Sequence, residues 1–168
     1  MKGFTVYFPN QKWWLLAKTI TIRKAELDDI KNASELQQML WPDHTQEEME
    51  IEMNRVITSL EGVVFLAFMR NKPVGFAECR LRKDYVEGAN SSPVGYLEGI
   101  FVRPEYRRQG VAMKLFQHCE RWAKKKGCFE MASDCEMQNN ASIKLHSAAG
   151  FSEVNRIVCF TKTIGDDL

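Results

Sequence analysis

The chain has 168 residues, of which 45% are apolar and 27% charged, the make-up of a single globular domain rather than a disordered or collagen-like chain. Its 23 basic and 22 acidic residues nearly cancel, so no general electrostatic case exists for nucleic acid. The longest apolar stretch, Gly62–Met69, falls far short of the ~20 residues of a membrane helix.

The five cysteines (Cys79, Cys119, Cys128, Cys135, Cys159) form no CxxC, and His44, His118 and His146 are scattered. This spacing argues against a structural metal site and for reduced thiols in a cytoplasm. Pro9, Asn10, Gln11 and Lys12 interrupt any signal-peptide core. Residues 1–18 read as an extension carrying a short strand at Phe4–Phe8 and an apolar patch at Trp13–Ala17, and 19–168 as the domain proper.

From Thr19 the pattern is regular. Thr19–Arg23 reads as a strand, and Leu27, Ile30, Ala33, Leu36 and Leu40 recur at helical spacing. A second helix follows Pro42, with Met49, Met53, Val56, Ile57 and Leu60 on one face and acids on the other. Val63–Met69 and Pro73–Arg82 read as strands joined by a turn at Asn71-Lys72, and Asp84–Pro93 as a loop. Val94–Val102 is a further strand whose internal Gly95 and Gly99 suggest a bulge or a close approach. Arg103–Tyr106 makes a turn into a helix bearing Val111, Leu115, Cys119 and Trp122, closed at Gly127. Phe129–Ser133 reads as a short buried strand, Ala141–Ala149 as a helix and Val154–Thr163 as a final strand. The sum is a mixed α/β domain.

The most informative stretch is Arg107-Arg108-Gln109-Gly110-Val111-Ala112, between a buried strand and a helix. A helix N-terminus offers unpaired backbone N–H groups and a dipole that favours an anion. Gly110 and Ala112 leave room for a pyrophosphate on those amides, and Arg107 and Arg108 add positive charge at the rim. Neither a P-loop nor a Rossmann turn is present. Taken alone, the turn reads equally well as a basic turn with a glycine for packing.

The order of strand, Arg-x-x-Gly-x-Ala, helix, strand, then Asn139 and a helix ending in Gly150-Phe151, resembles the GNAT acetyltransferase superfamily. The resemblance covers about residues 20–164, with Ser142 where alanine is usual and His146 where many members have tyrosine. It implies a GNAT acyltransferase fold with a splayed central strand pair, and acetyl-coenzyme A as donor. By the same resemblance Ile100, Phe101 and Val102 would hold the pantetheine arm. Arg107, Arg108, Gln109, Gly110, Val111, Ala112 and Met113 would form the pyrophosphate turn, and Asn139 would contact the pantetheine or thiol region.

A narrower resemblance rests on Leu40–His44, Asp84–Gly88, Ser91–Pro93, Leu97–Val102, Met131–Asp134 and Gly150-Phe151, which together look like the bacterial aminoglycoside 6′-N-acetyltransferases of antibiotic resistance. It implies that Trp41, His44, Tyr85, Glu98 and Asp134 line an aminoglycoside site. Asn155 stands where an acid is usual in the final strand, which puts one cationic contact in doubt. A homodimer is implied on the same ground.

Residue chemistry points the same way, less specifically. Between Trp41 and Asn54 stand Asp43, Glu47, Glu48, Glu50 and Glu52 with no Lys or Arg, and between Asp84 and Val102 stand Asp84, Glu87 and Glu98, again with none. An acidic cleft would concentrate a polycation, although the Glu47–Glu52 run reads first as a solvated helix face. Glu98, inside the apolar run Tyr96–Ile100, needs a partner or a function. Trp41 and Tyr85 are equally compatible with core packing, and His44 with an ordinary surface position.

The implied reaction is direct acyl transfer in a ternary complex. Glu98 is the first candidate to take the ammonium proton, directly or through water, and Asp134 the second. Amides near Ile100–Val102 would stabilise the oxyanion, and His146 is a candidate donor to the leaving thiolate. An acetyl-cysteine route has no activated cysteine to support it. Two rivals stay open: the same fold acting on a polyamine or protein amine, and a non-catalytic acyl-coenzyme A binder. Lys124-Lys125-Lys126 reads as a solvated helix end, not a nucleic-acid site.

Overall fold

Strands that follow one another in sequence also lie side by side. The computed structural model describes residues 19–163. In it β1 (Ile20–Lys24), β2 (Gly62–Met69), β3 (Lys72–Arg82), β4 (Val94–Val102) and β5 (Met131–Ser133) form one sheet in that order. The first three pairings are antiparallel and β4–β5 is parallel. The β2–β3 turn falls at Arg70 and Asn71, with φ 51° and 63°, one residue earlier than expected. Two successive positive φ values match the twist of the flanking strands.

Among the described residues four helices cover the sheet: α1 (Ile30–Leu40), entered through a 3-10 turn at Leu27–Asp29, α2 (Gln46–Thr58), α3 (Val111–Lys125) and α4 (Asn140–Ala148). Thr45 and Glu48 start α2 with a capping box, each side chain serving the other's backbone N–H, at 3.2 and 2.8 Å. Alternation along β2 and β3 divides the core in two. Val64, Leu66 and Phe76 meet Ala33, Leu36, Met53 and Val56 of α1 and α2. Val63, Ala67, Val74 and Cys79 meet Val111, Leu115 and Cys119 of α3. Each Val, Leu, Phe or Met side chain buried here stabilises by roughly 1.5–3 kcal/mol before entropy is counted.

Two irregularities in β4 shape the site. Glu78 pairs with Gly99 and Cys79 with Leu97, so Glu98 is an extra residue without a ladder partner. This bulge reverses the alternation: Leu97 packs toward α3, and beyond the bulge Ile100 and Val102 do so. The second irregularity is a split. β5 pairs β4 only from Gly95 to Leu97, and Ser133 Oγ donates to Leu97 O at 2.9 Å as the last tie. Beyond it, the outer edge of Ile100–Val102 has no strand beside it among the described residues.

The expected final strand is a correction. Residues 154–163 form no strand, and Val154, Ile157, Val158 and Phe160 are exposed. A β-prone sequence becomes a strand only against a neighbour, and the three-residue β5 leaves it almost no edge to join. For the same reason the strand begins at Met131 rather than Phe129, which is 91% exposed. The readings at Phe4–Phe8 and Trp13–Ala17 lie outside the described residues.

Candidate active site

A cavity of about 370 Å³ opens between the end of α1, one face of α2 and the bulged part of β3–β4, lined by residues that include Trp41, His44, Glu52, Glu78 and Glu98. Trp41 ends α1 and lies on Gly99, where an added Cβ would stand 2.5 Å from its Cη2. Only glycine leaves room for the ring, which also meets Phe76 edge-on at 6.4 Å. His44 is exposed, 3.8 Å from Glu48. The bulge leaves Glu98 unpaired in the ladder, and the Glu98 carboxylate holds Arg82 at 2.9 and 3.2 Å.

The floor carries an ionic cluster that the sequence reading missed. Glu78 is almost fully buried, receiving Arg80 Nε at 2.7 Å and facing Gln37 Nε2 at 3.4 Å. Arg80 reaches on to Glu52, which Arg55 also holds with two bonds of 2.9 Å. Hydrogen bonds from Arg55, opposed by partial burial, and from Arg80 bring the Glu52 carboxyl from 4.5 down to about 2. Burial pushes Glu78 up, against the pull of Arg80. The visible signal was Phe76, Glu78, Arg80 and Arg82 at alternate positions of β3, hence on one face.

Two expectations are corrected here. The Glu47–Glu52 run is not all solvated face, because Glu52 turns into the cavity. Nor is the acceptor side free of basic residues: β3 brings Arg80 and Arg82 among its carboxylates.

Of the expected acceptor residues, Trp41, His44 and Glu98 converge on the cavity, while Tyr85, Asp134 and Asn155 do not line it. Tyr85 is 83% exposed on the 84–93 loop and donates to Glu87 at 2.8 Å. Asp134, exposed beyond β5, accepts from Tyr96. The guanidinium carbon of Arg82 lies 3.2 Å from the Tyr96 ring centroid, so Asp134 joins Glu98 through Tyr96 and Arg82. Burial and the bond to Asp134 raise the Tyr96 hydroxyl's pKa. Asn155 is exposed, and its Oδ1 accepts from Arg156 N at 2.8 Å, because the strand that was to carry it does not form.

On the other side of β4 lies the start of α3. Gly110 caps it with φ 76°, and an added Cβ would meet nothing within 4 Å. The first turn contains no acid, and the N–H groups of Val111, Ala112 and Met113 have no acceptor within the helix. Arg108 is left-handed as well, at φ 59°. Arg107 folds back instead of standing at the rim: its Nε donates to Val102 O at 2.8 Å. Gln109 donates to Glu105 O at 3.3 Å. Asn139 caps α4, its Oδ1 accepting from Ser142 N at 3.0 Å. His146 Nδ1 donates to Ser142 O at 2.8 Å, and its buried Nε2 has no partner. With the proton on Nδ1, Nε2 is an acceptor.

Among the described residues no group of three or more His, Cys, Asp or Glu is placed to hold a metal, and no helix is long and apolar enough to cross a membrane.

Residues 33–151 match the family model "Acetyltransferase (GNAT) family". An aminoglycoside N(6′)-acetyltransferase type 1 of Acinetobacter baumannii is 44% identical over 128 residues, 76% of this chain and 87% of the relative. One from Acinetobacter genomosp. 13 is 42% identical over 131 residues, 77% of this chain and 89% of the relative. The solved structure of AAC(6′)-Iy with the bisubstrate analogue CoA-S-monomethyl-acetylneamine superposes with a TM-score of 0.84 at 36% identity, covering 88% of this chain and 100% of that one. A helix start with free amides beside a split strand, and relatives matched over most of their length, lead to one conclusion: the chain belongs to the GNAT acetyltransferase family and, within it, to the aminoglycoside N(6′)-acetyltransferases of type 1.

Proposed function

We propose that the protein transfers the acetyl group of acetyl-coenzyme A to the 6′-amino group of an aminoglycoside held in the Trp41–Glu98 cavity, by direct transfer in a ternary complex. The observation that carries this reading is the placement of two half-sites on one strand. Glu98 precedes the open edge of Ile100–Val102 by only two residues, about 7 Å of strand. An amine at Glu98 therefore lies next to anything bound along that edge.

The residues present fit acetyl-coenzyme A. The empty space at Gly110 and the free amides of α3 suit a pyrophosphate, and the unpaired edge of Ile100–Val102 suits an amide-bearing arm. Arg108 through Met113 would hold the first, Ile100, Phe101 and Val102 the second, and the free amide nitrogen of Asn139 lies at the start of α4. Arg107 contributes by bracing Val102. When bound, the cofactor supplies an acetyl thioester. Glu98 pairs with the incoming ammonium and accepts its proton, directly or through water. Asp134 acts at a distance through Tyr96 and Arg82. Backbone amides at Ile100–Val102 face the developing oxyanion. His146 donates to the thiolate only when both ring nitrogens carry protons, since its Nδ1 proton is held by Ser142 O.

A homodimer in the cytoplasm completes the reading. The exposed Val154, Ile157, Val158 and Phe160 are supports for a second copy, and the free, buried Cys79, Cys119 and Cys128 are in keeping with a reducing compartment.

The test is thiol release from acetyl-coenzyme A with kanamycin or tobramycin, against paromomycin, which bears a 6′-hydroxyl. Turnover with the amines alone is the expected result. Turnover with none of the three, despite coenzyme A binding, overturns the acceptor assignment and points to another amine.

A further inference from the structure

One acceptor in the wall of the cavity is left without a donor. Glu98 holds Arg82, Glu78 holds Arg80, and Glu52 holds Arg55 and Arg80. Each of these carboxylates already has a guanidinium partner. Gln37 is different. It is 2% exposed, lines the cavity, and its Oε1 is buried without a hydrogen-bond partner. Its amide orientation is set by Glu78: an ionised carboxylate only accepts, so the nitrogen faces it and the oxygen points away. Gln37 lies one helical turn before Trp41, whose N–H donates to Gln37 O at 3.0 Å, which ties both residues to the end of α1.

We propose that Gln37 Oε1 is a specificity-determining contact of the acceptor cavity, accepting an N–H or O–H of the bound aminoglycoside. The inference rests on the aminoglycoside reading above. A buried carbonyl without a donor is costly in the free protein, and a polyamine-polyol ligand offers donors at many positions. The contact forms on binding and removes that cost, so it favours ligands that place a donor at this depth.

Gln37→Leu keeps the bulk and removes the acceptor; Gln37→Asn keeps the chemistry and withdraws it by one carbon. The Asn variant serves if Leu, by depriving Glu78 of its amide neighbour, prevents folding. Kanamycin is titrated into the coenzyme A-loaded protein, and steady-state constants are taken in parallel. The expected result is a kanamycin Kd and KM raised about tenfold, with kcat within a factor of about two and coenzyme A affinity unchanged. Unchanged kanamycin affinity in both variants, with the wild type active, means that the ligand makes no contact with Oε1 and overturns this inference alone. Parallel losses of kanamycin affinity, coenzyme A affinity and melting temperature assign Gln37 a structural role and also overturn it. A wild type that neither binds nor acetylates kanamycin removes the underlying reading, and this inference with it.

Discussion

Arg82 grips Glu98 with both ends of its guanidinium fork, Nε to Oε1 at 3.2 Å and Nη2 to Oε2 at 2.9 Å. The bulge makes this possible, because Glu98 has no ladder partner and its strand bends there. A carboxylate offers about four lone-pair sites, so the grip leaves room on the same oxygens for a substrate ammonium. Arg82 thus orients the carboxylate without occupying it fully.

Glu98→Gln preserves the shape and removes the charge. Its kcat/KM for kanamycin is expected to fall about 100-fold or more, with coenzyme A affinity unchanged, as measured by thiol release and by titration. Undiminished turnover would take Glu98 out of the chemistry.

Gly99→Ala tests the seat of Trp41. The new methyl would meet the indole at 2.5 and 3.0 Å, so the ring has to move. Overpacking of this kind costs about 1–3 kcal/mol. A lowered melting temperature and a several-fold higher aminoglycoside KM are expected, with the KM for acetyl-coenzyme A unaffected.

At the other half-site, Gly110→Ala meets no steric neighbour but must hold φ 76°. A left-handed conformation costs a residue with a side chain about 1–2 kcal/mol. The variant relieves this by moving the backbone that presents the helix amides. Coenzyme A is expected to bind about tenfold more weakly by calorimetric titration, while kanamycin binding holds.

Acid stability reports on Glu52. Its carboxyl is lowered from 4.5 to about 2 in the folded protein, so the stability it contributes is present above 4.5 and is lost as pH falls toward 2. Glu78 works the opposite way, being raised by burial: its contribution is present at low pH and fades as pH rises through the raised value. Glu52→Gln is expected to destabilise by about 1–2 kcal/mol at neutral pH after allowance for solvent screening. It should also flatten the loss between pH 4.5 and 2 in denaturant melts; an unaltered pH profile would contradict the assignment.

Much of the framework was legible because it is local. The Gly110 turn and the glycines of β4 are short-range statements about backbone conformation, and each lies where the sequence pattern put it. Trp41, His44 and Glu98 could be gathered at one site through resemblance, but Glu78 and Gln37 could not. Inside β3 a single glutamate between Ala77 and Cys79 looks like an edge position until its burial is known. The final strand failed for a related reason: Val154–Thr163 has β-prone side chains, but strand formation is decided by what lies alongside.

The sequence by itself determined most of the elements, their order, the glycine turn into α3 and the presence of a carboxylate in β4. Tertiary structure alone decided which charges meet. Gln37 faces Glu78 across 41 residues, Arg80 reaches Glu52 across 28, and Arg82 takes Glu98 across 16. Those pairings depend on strand register and on a single extra residue at Glu98. Because side chains alternate along a strand, a one-residue shift sends every following side chain to the opposite face, and no local pattern records which face a neighbouring element will supply.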